Sequence, residues 1–381
     1  MLRSIFFIIF AILINCSVSL AQCIKRGPYL QQTSTDKTLI VWELSDTSFQ
    51  SNLLLNTGTI SKPKWKQFNP IASEDPSFAH RYVSLKNLKS AKSYIYQINC
   101  NSELSSFFRF KTHSKTQPLK IAVFGDSGAG TVQQQQIADR INNWSPDLLF
   151  HTGDLVYSSG TLNEYDLRFF PQNRSLISKV SLYPSIGNHD QPNSNVYKRI
   201  FHLPNNSDVP EDYYYKIIRN TALIVLNSNL DYSVGSTQYN WLNRTLRSSK
   251  VKNAKFRIVM FHHPVLTVGA HRTNTDMHNS IVPLFERHGV SLVLNGHDHN
   301  YQRFIAQNLS GLNLKKKTKS SLNYIVTGGG GYTLYDQTTN NTYLKSFRKE
   351  FHYLQLSISS QKISIKVIDI NGATLESYSL R

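Results

Sequence analysis

Five short segments concentrate the residue types that hold metal ions and move protons: Gly125-Asp126-Ser127-Gly128, Gly153-Asp154-Leu155-Val156-Tyr157, Gly187-Asn188-His189-Asp190, His262-His263-Pro264 and Gly296-His297-Asp298-His299. Carboxylate, amide and imidazole donors with no thiolate among them suit divalent or trivalent first-row metals, and leave zinc, manganese and iron open. His297 and His299 stand two apart. On an extended segment their rings would lie on one side, at the spacing of a metal pair with ions about 3.5–4 Å apart. One carboxylate could bridge such a pair. Taken singly, Asp126 and Asn188 are ordinary turn residues and His262 an ordinary histidine before a proline, so the reading rests on the five segments together. His151, His263, Asp190 and Asp298 read as supports around the site rather than as ligands.

Each segment follows a short apolar run that reads as a strand, and ligands of α/β sheets sit outside the carboxyl ends of strands. Strands are expected at 119–124, 148–151, 223–227, 256–261, 290–294 and 324–327, with a helix over 132–143, which is the alternation of an α/β layered domain. A final stretch, 353–380, alternates apolar and polar residues around Asn371-Gly372 and reads as a β-meander. Upstream, 23–113 switches every eight to twelve residues between β-rich runs and polar turns, with strands expected at 39–42, 51–55, 80–85, 93–99 and 107–111. That is the pattern of an all-β sandwich of fibronectin type, with Ile40, Val41, Trp42, Tyr94 and Tyr96 as core candidates. The expected division is a leader at 1–21, a sandwich at 22–115 and an α/β domain at 116–381.

In order and content the five segments resemble those of the calcineurin-like metallophosphoesterases, and within them the purple acid phosphatases, whose tyrosine ligand is matched by Tyr157, three residues after Asp154. Arg26-Gly27-Pro28-Tyr29-Leu30-Gln31, the strand carrying Trp42, Tyr301-Gln302-Arg303 and Val326-Thr327-Gly328-Gly329-Gly330-Gly331 extend the likeness over nearly the whole chain. The resemblance implies a fibronectin type III-like sandwich followed by a four-layer α/β/β/α domain. It implies that Asp126, Tyr157 and His299 hold a ferric ion, that Asn188, His262 and His297 hold a second ion (iron, zinc or manganese), and that Asp154 bridges them. His189 and His271 would then contact substrate. Ser127, Asp190 and Gln302 depart from the commonest pattern without touching a ligand.

Two cations would neutralise phosphoryl oxygens and lower the pKa of a bound water, which provides a hydroxide nucleophile in acid and an acidic pH optimum. The expected activity is acid hydrolysis of small phosphate monoesters. The alternatives are a phosphodiesterase or nucleotide pyrophosphatase and, from a different class, a binding protein with a relic metal site. The formal charge of +18, from 42 basic and 24 acidic residues, favours anionic partners, but the lysines are scattered and no aromatic-interleaved basic motif points to specific nucleic-acid binding. Met1-Leu2-Arg3, an apolar run from Ile5 to Ile14 and Ser19-Leu20-Ala21 read as a cleaved signal peptide, which places the protein in a secreted or periplasmic setting with no spanning segment in the mature chain. Leu20-Ala21-Gln22-Cys23 is near a lipid-attachment motif but has Gln22 where a small residue belongs. Beyond the leader, Cys23 and Cys100 are either a disulfide that staples the sandwich or two free thiols. Neither the number of subunits nor the natural substrate is legible.

Overall fold

The computed structural model describes residues 23–73, 75, 78–306, 309–310 and 322–381. The expected leader, the lipid-attachment motif before Cys23 and the lysine run at 315–319 lie outside these residues.

In the amino-terminal part the elements among the described residues from Ile24 to Lys111 are strands. Strands β1 (Ile24–Gln31), β2 (Thr38–Leu44), β5 (Ile71–Ala72) and β6 (His80–Leu85) form one sheet in the order β1-β2-β6-β5. Strands β3 (Ser51–Asn56), β4 (Trp65–Phe68), β7 (Ser93–Cys100) and β8 (Glu103–Leu104) form the other, with β9 (Phe108–Lys111) paired to β7. Side chains alternate across a strand, so each sheet turns one face inward. Ile40, Trp42, Leu53, Leu55, Tyr94, Tyr96 and Phe110 meet there in one core. Cys23 and Cys100 are disulfide-bonded, with their Cα atoms 6.4 Å apart. Val41 departs from the expectation. It points away from the sandwich core and, with Tyr29, joins the core of the α/β part, because both faces of the β1-β2 sheet are covered and alternation does not tell which is which.

Two larger sheets follow. One contains β10 (Leu119–Phe124), β11 (Leu148–His151), β12 (Ser181–Pro184), β20 (His352–Ile358), β21 (Ile363–Asp369) and β22 (Thr374–Leu380), ordered β12-β11-β10-β20-β21-β22. The other contains β13 (Tyr214–Ile218), β14 (Thr221–Val225), β15 (Phe256–Met260), β16 (Leu292–Asn295), β17 (Tyr301–Ala306), β18 (Leu322–Thr327) and β19 (Leu344–Arg348), ordered β13-β14-β15-β16-β18-β17-β19. Alternate residues of the second sheet separate two cores. Leu223, Val225, Ile258, Met260, Leu292 and Leu294 face the first sheet. Ala222, Ile224, Val259 and Val293 pack with Trp241, Leu242 and Leu246 of α4 (Thr237–Arg247) and Phe285 of α5 (Val282–Arg287). On the outer side of the first sheet lie α1 (Val132–Trp144), capped by Thr131, and α2 (Phe170–Ile177). A shorter helix, α3 (Ser194–Ile200), follows β12. The result is a four-layer α/β/β/α arrangement behind an amino-terminal β-rich domain. Among the described residues no helix is long and apolar enough to cross a membrane.

Candidate metal centre

Strands β10, β11 and β12 run parallel in one sheet, and β15 and β16 run parallel in the other, so their carboxyl ends open on the same rim. Asp126 lies two residues past β10, Asp154 and Tyr157 past β11, Asn188 and His189 past β12, His262 past β15, and His297 and His299 past β16. Three of the turns need backbone that L-residues seldom adopt: φ is 55° at Asp126, 53° at Asp154 and 70° at His297. The last value corrects the expectation of an extended segment. The left-handed residue bends the chain between the two histidines, so His297 turns toward His262 while His299 turns toward Tyr157. Gly187 is equally constrained, because a Cβ there would meet the side chain and backbone of Asp154.

The cluster is dense in acceptors. Ligand atoms of Asp126, Asp154 and His262 lie within 4.8 Å of one another, and all three residues are buried. His262 Nε2 is 2.9 Å from Asn188 Oδ1, 3.4 Å from Asp154 Oδ2 and 3.2 Å from His297 Nδ1. His299 Nε2 is 3.2 Å from the Tyr157 hydroxyl and 3.5 Å from Asp126 Oδ1. The other nitrogens of these rings are tied to backbone. His262 Nδ1 reaches the Thr152 carbonyl at 2.9 Å and His299 Nδ1 the Thr333 carbonyl at 2.7 Å. A carbonyl accepts, so Nδ1 carries the proton and Nε2 turns a lone pair on the cluster, which is how metal-bound imidazoles are held. Asp126 Oδ2 is buried with no hydrogen-bond partner among the described residues. Facing lone pairs and an orphaned carboxylate oxygen repel unless a cation lies between them, so this donor set fits divalent or trivalent metal ions.

The titration of the cluster points the same way. Burial, and after it the charge of Asp154, raises the carboxyl of Asp126 well above its ordinary value. Burial also opposes a charge on His262, but Asp154 and Asp126 outweigh it and raise the ring to about 9, so without metal a proton takes the place of the cation. Burial, Asp126 and Asp154 together raise the Tyr157 phenol, so a strong neighbouring cation is needed to make it a phenolate.

His189 lies beside the cluster, its Nδ1 2.6 Å from the Ser158 carbonyl and its ring centroid 4.6 Å from that of Tyr157. His271 packs on His297 with ring centroids 3.8 Å apart, and its Nδ1 is 3.0 Å from Asp298 Oδ1. Every sequence-expected site residue therefore reaches this rim. The surrounding residues also have visible tasks. Asp190 accepts hydrogen bonds from the backbone of Leu155 and Gly187 and from the Tyr165 hydroxyl, and Ser228 meets His263 Nδ1 at 2.8 Å. Sequence reading missed two aromatic walls, Tyr332 stacked on Tyr157 at 4.0 Å and Tyr335 stacked on His299 at 4.1 Å. The glycines 328–331 just before them were the available signal.

Residues 119–301 match the family model described as calcineurin-like phosphoesterase, and the chain carries a calcineurin-like phosphoesterase domain. Several of its relatives are named as purple acid phosphatases. Probable purple acid phosphatase 20 of Arabidopsis thaliana is 27% identical, the match covering 62% of this chain and 57% of that one. Tartrate-resistant acid phosphatase type 5 of Rattus norvegicus is 24% identical, with 65% and 82% covered. A Hordeum vulgare relative named nucleotide pyrophosphatase/phosphodiesterase is 26% identical, with 58% and 70% covered. Two further Arabidopsis relatives are named probable inactive purple acid phosphatases, and the chain spans 55% and 49% of them. In fold it is similar to the purple acid phosphatase from yellow lupin (Lupinus luteus) seeds, with a TM-score of 0.77 at 18% identity over 93% of this chain and 74% of that one.

Proposed function

We propose that the protein is an exported, dinuclear-metal acid phosphatase that hydrolyses small phosphate monoesters. The observation that carries the reading is the convergence of buried acceptors, with Asp126 Oδ2 unpartnered among the described residues. In this reading Asp126, Tyr157 and His299 hold a ferric ion, Asn188, His262 and His297 hold iron, zinc or manganese, and Asp154 serves both. The bound pair supplies positive charge that offsets the phosphoryl oxygens and makes water more acidic. The chain's own residues then position and protonate. His189 donates its Nδ1–H to the Ser158 carbonyl in a hydrogen bond, which leaves Nε2 to hold or release a proton at the leaving oxygen. His271, oriented by Asp298, offers Nε2 to a phosphoryl oxygen. The catalytic unit is 116–381, the sandwich 22–115 and the cleaved leader 1–21, with secretion or a periplasmic location as the destination.

A second reading, nucleotide pyrophosphatase or phosphodiesterase, is favoured by the name and 26% identity of the barley relative. One experiment addresses both: metal content, visible spectrum and hydrolysis of p-nitrophenyl and bis(p-nitrophenyl) phosphate from pH 4 to 8, for the wild type and Tyr157→Phe. The proposal expects iron, a visible band lost in the variant, and an acidic optimum on the monoester. A colourless protein active with manganese or zinc would remove the ferric tyrosinate, and a preference for the diester would favour the second reading.

A further inference from the structure

At the amino ends of β10, β11 and β12, the opposite ends from those that carry the metal ligands, a cleft of about 540 Å³ opens between the β-rich and α/β parts. Its lining is dominated by positive charge. Arg109 and Lys111 stand two apart on β9 and so project to the same side. Lys120 begins β10, Lys179 follows α2, and Arg219 lies in the turn between β13 and β14. One carboxylate, Asp147, lines the same space, and its Oδ2 already accepts the backbone N–H of Lys120 at 2.9 Å. Among the described residues none of the five cations forms an ion pair. Lys120 donates to the Trp144 carbonyl, Lys179 to Asn142 Oδ1 at 3.0 Å, and Arg219 to the Gln117 carbonyl, while the side chains of Arg109 and Lys111 have no hydrogen-bond partner among the described residues. The cost of this crowding is felt by Lys120. Burial pushes its ammonium down, Asp147 pulls it up, and the charge of Lys111 pushes it down further. Beneath the cations lies an apolar floor that includes Phe110, Leu176 and Val180.

A protein with a surplus of positive charge can spread it over its surface, where solvent screens it. Here five cations from both parts of the chain instead share one concave space, and their mutual repulsion favours an anion among them. The volume is in the ordinary range for small-molecule sites, roughly 300–1,000 Å³. We propose that this cleft is a second anion site, separate from the metal centre, that takes a compact organic polyanion bearing several phosphate or sulfate groups and ties the β-rich part to the α/β part. Arg109 and Arg219 provide forked donors that suit phosphate and sulfate oxygens, the lysines provide point charges, and the floor accepts the carbon body of the ligand.

The test is calorimetric titration at low salt with two probes. Inositol hexasulfate represents a sulfate ligand and contains no phosphate ester. ATP represents a phosphate ligand and is titrated into Asp154→Ala, which should not consume it. The proposal expects saturable one-site binding, weakened about tenfold or more in Arg109→Gln/Lys111→Gln and also weakened in Lys179→Gln. A control of equal charge loss on the exposed face of the β20-β21 hairpin, Lys362→Gln/Lys366→Gln, should change binding less than about twofold. Asp154→Ala should bind the hexasulfate as the wild type does, and the ligand should raise the melting temperature of the wild type more than that of Arg109→Gln/Lys111→Gln at the same concentration. The stronger of the two probes names the source chemistry. Equal weakening in both double variants would reduce the effect to diffuse charge. Loss of hexasulfate binding in Asp154→Ala would move it to the metal centre. Absence of saturable binding would remove the site.

Discussion

At the seam between the β-rich and α/β parts, buried charge is matched donor to acceptor. Arg26 Nε donates to Asp166 at 2.6 Å and its Nη1 to Glu43 at 3.3 Å, and His80 Nδ1 shares Glu43 at 3.3 Å. Tyr29 donates to the Ile200 carbonyl at 2.6 Å and Tyr96 to the Ser178 carbonyl at 2.8 Å. Of this network one atom, Arg26 Nη2, lacks a hydrogen-bond partner among the described residues. At the rim the same kinds of residue are arranged acceptor against acceptor, on backbone held at positive φ at Asp126, Asp154 and His297. Buried charge is costly in both places. The seam meets that cost from within the chain, and the rim leaves it to be met by something bound. Removing a charge should therefore damage folding in the first region and chemistry in the second.

The largest effect is expected at the rim. Asp154→Ala should lower kcat/KM on p-nitrophenyl phosphate by at least about 10³-fold and reduce the bound metal, while the urea midpoint of the metal-free protein stays at or above that of the wild type. Activity within tenfold of wild type would break the comparison on this side. The seam should answer in the opposite currency. Arg26→Leu removes the guanidinium that Asp166 and Glu43 share and leaves Asp166 with Lys25 at 3.2 Å and Glu43 with His80 at 3.3 Å, so a cost of about 3 kcal/mol in unfolding free energy is expected, with activity per folded molecule little changed. An unchanged unfolding midpoint would show that the ion pairs do not hold the two parts together.

Between these lies a residue with no charge. A Cβ at Gly187 would collide with Asp154, so Gly187→Ala must move the carboxylate or the turn that carries it. A displacement of this kind costs roughly 10²-fold in rate when it misplaces reacting groups. Steady-state kinetics beside thermal melting separates that loss from simple unfolding, which would appear as a lowered melting temperature of similar significance.

How much of this could be read in the sequence depends on where each contact originates. The ligand segments were legible because each follows an apolar strand at a glycine or proline, and β10 at 119–124 and β11 at 148–151 fall where periodicity places them. Strand β12 escaped, since Ser181 and Pro184 at its ends leave no apolar run like the one that marks β11. Strand β1 escaped as well, because its Gly27-Pro28 and the register shifts around Arg26 interrupt the pattern. The walls Tyr332 and Tyr335 are more than 30 residues from His299, so their stacking is a product of the fold and not of any local motif. The pairing of Asp298 with His271 is hidden for the same reason.

The smallest effect concerns how the seam tolerates the acidic conditions proposed for the rim. His202 Nε2 lies 2.9 Å from His80 Nε2, and burial, followed by the neighbouring His80, lowers the His202 ring to about 4. A ring whose folded pKa lies below its ordinary 6.5 supplies stability that is present above pH 6.5 and lost as pH falls through about 4. Glu211, whose Oε1 accepts the Leu203 N–H at 3.1 Å, has the opposite sign. Burial raises its carboxyl to about 7, so its stability is present below about pH 4.5 and lost as pH rises through about 7. The two titrations thus oppose each other across pH 4 to 7, within one stretch of ten residues. With solvent screening of partly exposed groups, each is worth about 2 kcal/mol or less. Relative to wild type, His202→Asn should gain stability as pH falls from 7 to 4, and Glu211→Gln should gain it as pH rises from 4.5 to 8. Urea midpoints measured across that range test both. Curves parallel to wild type would mean that the seam is indifferent to pH. Curves that diverge in these opposite directions would mean that two opposed titrations within 202–211, one of them at the seam, keep stability level as the pH falls.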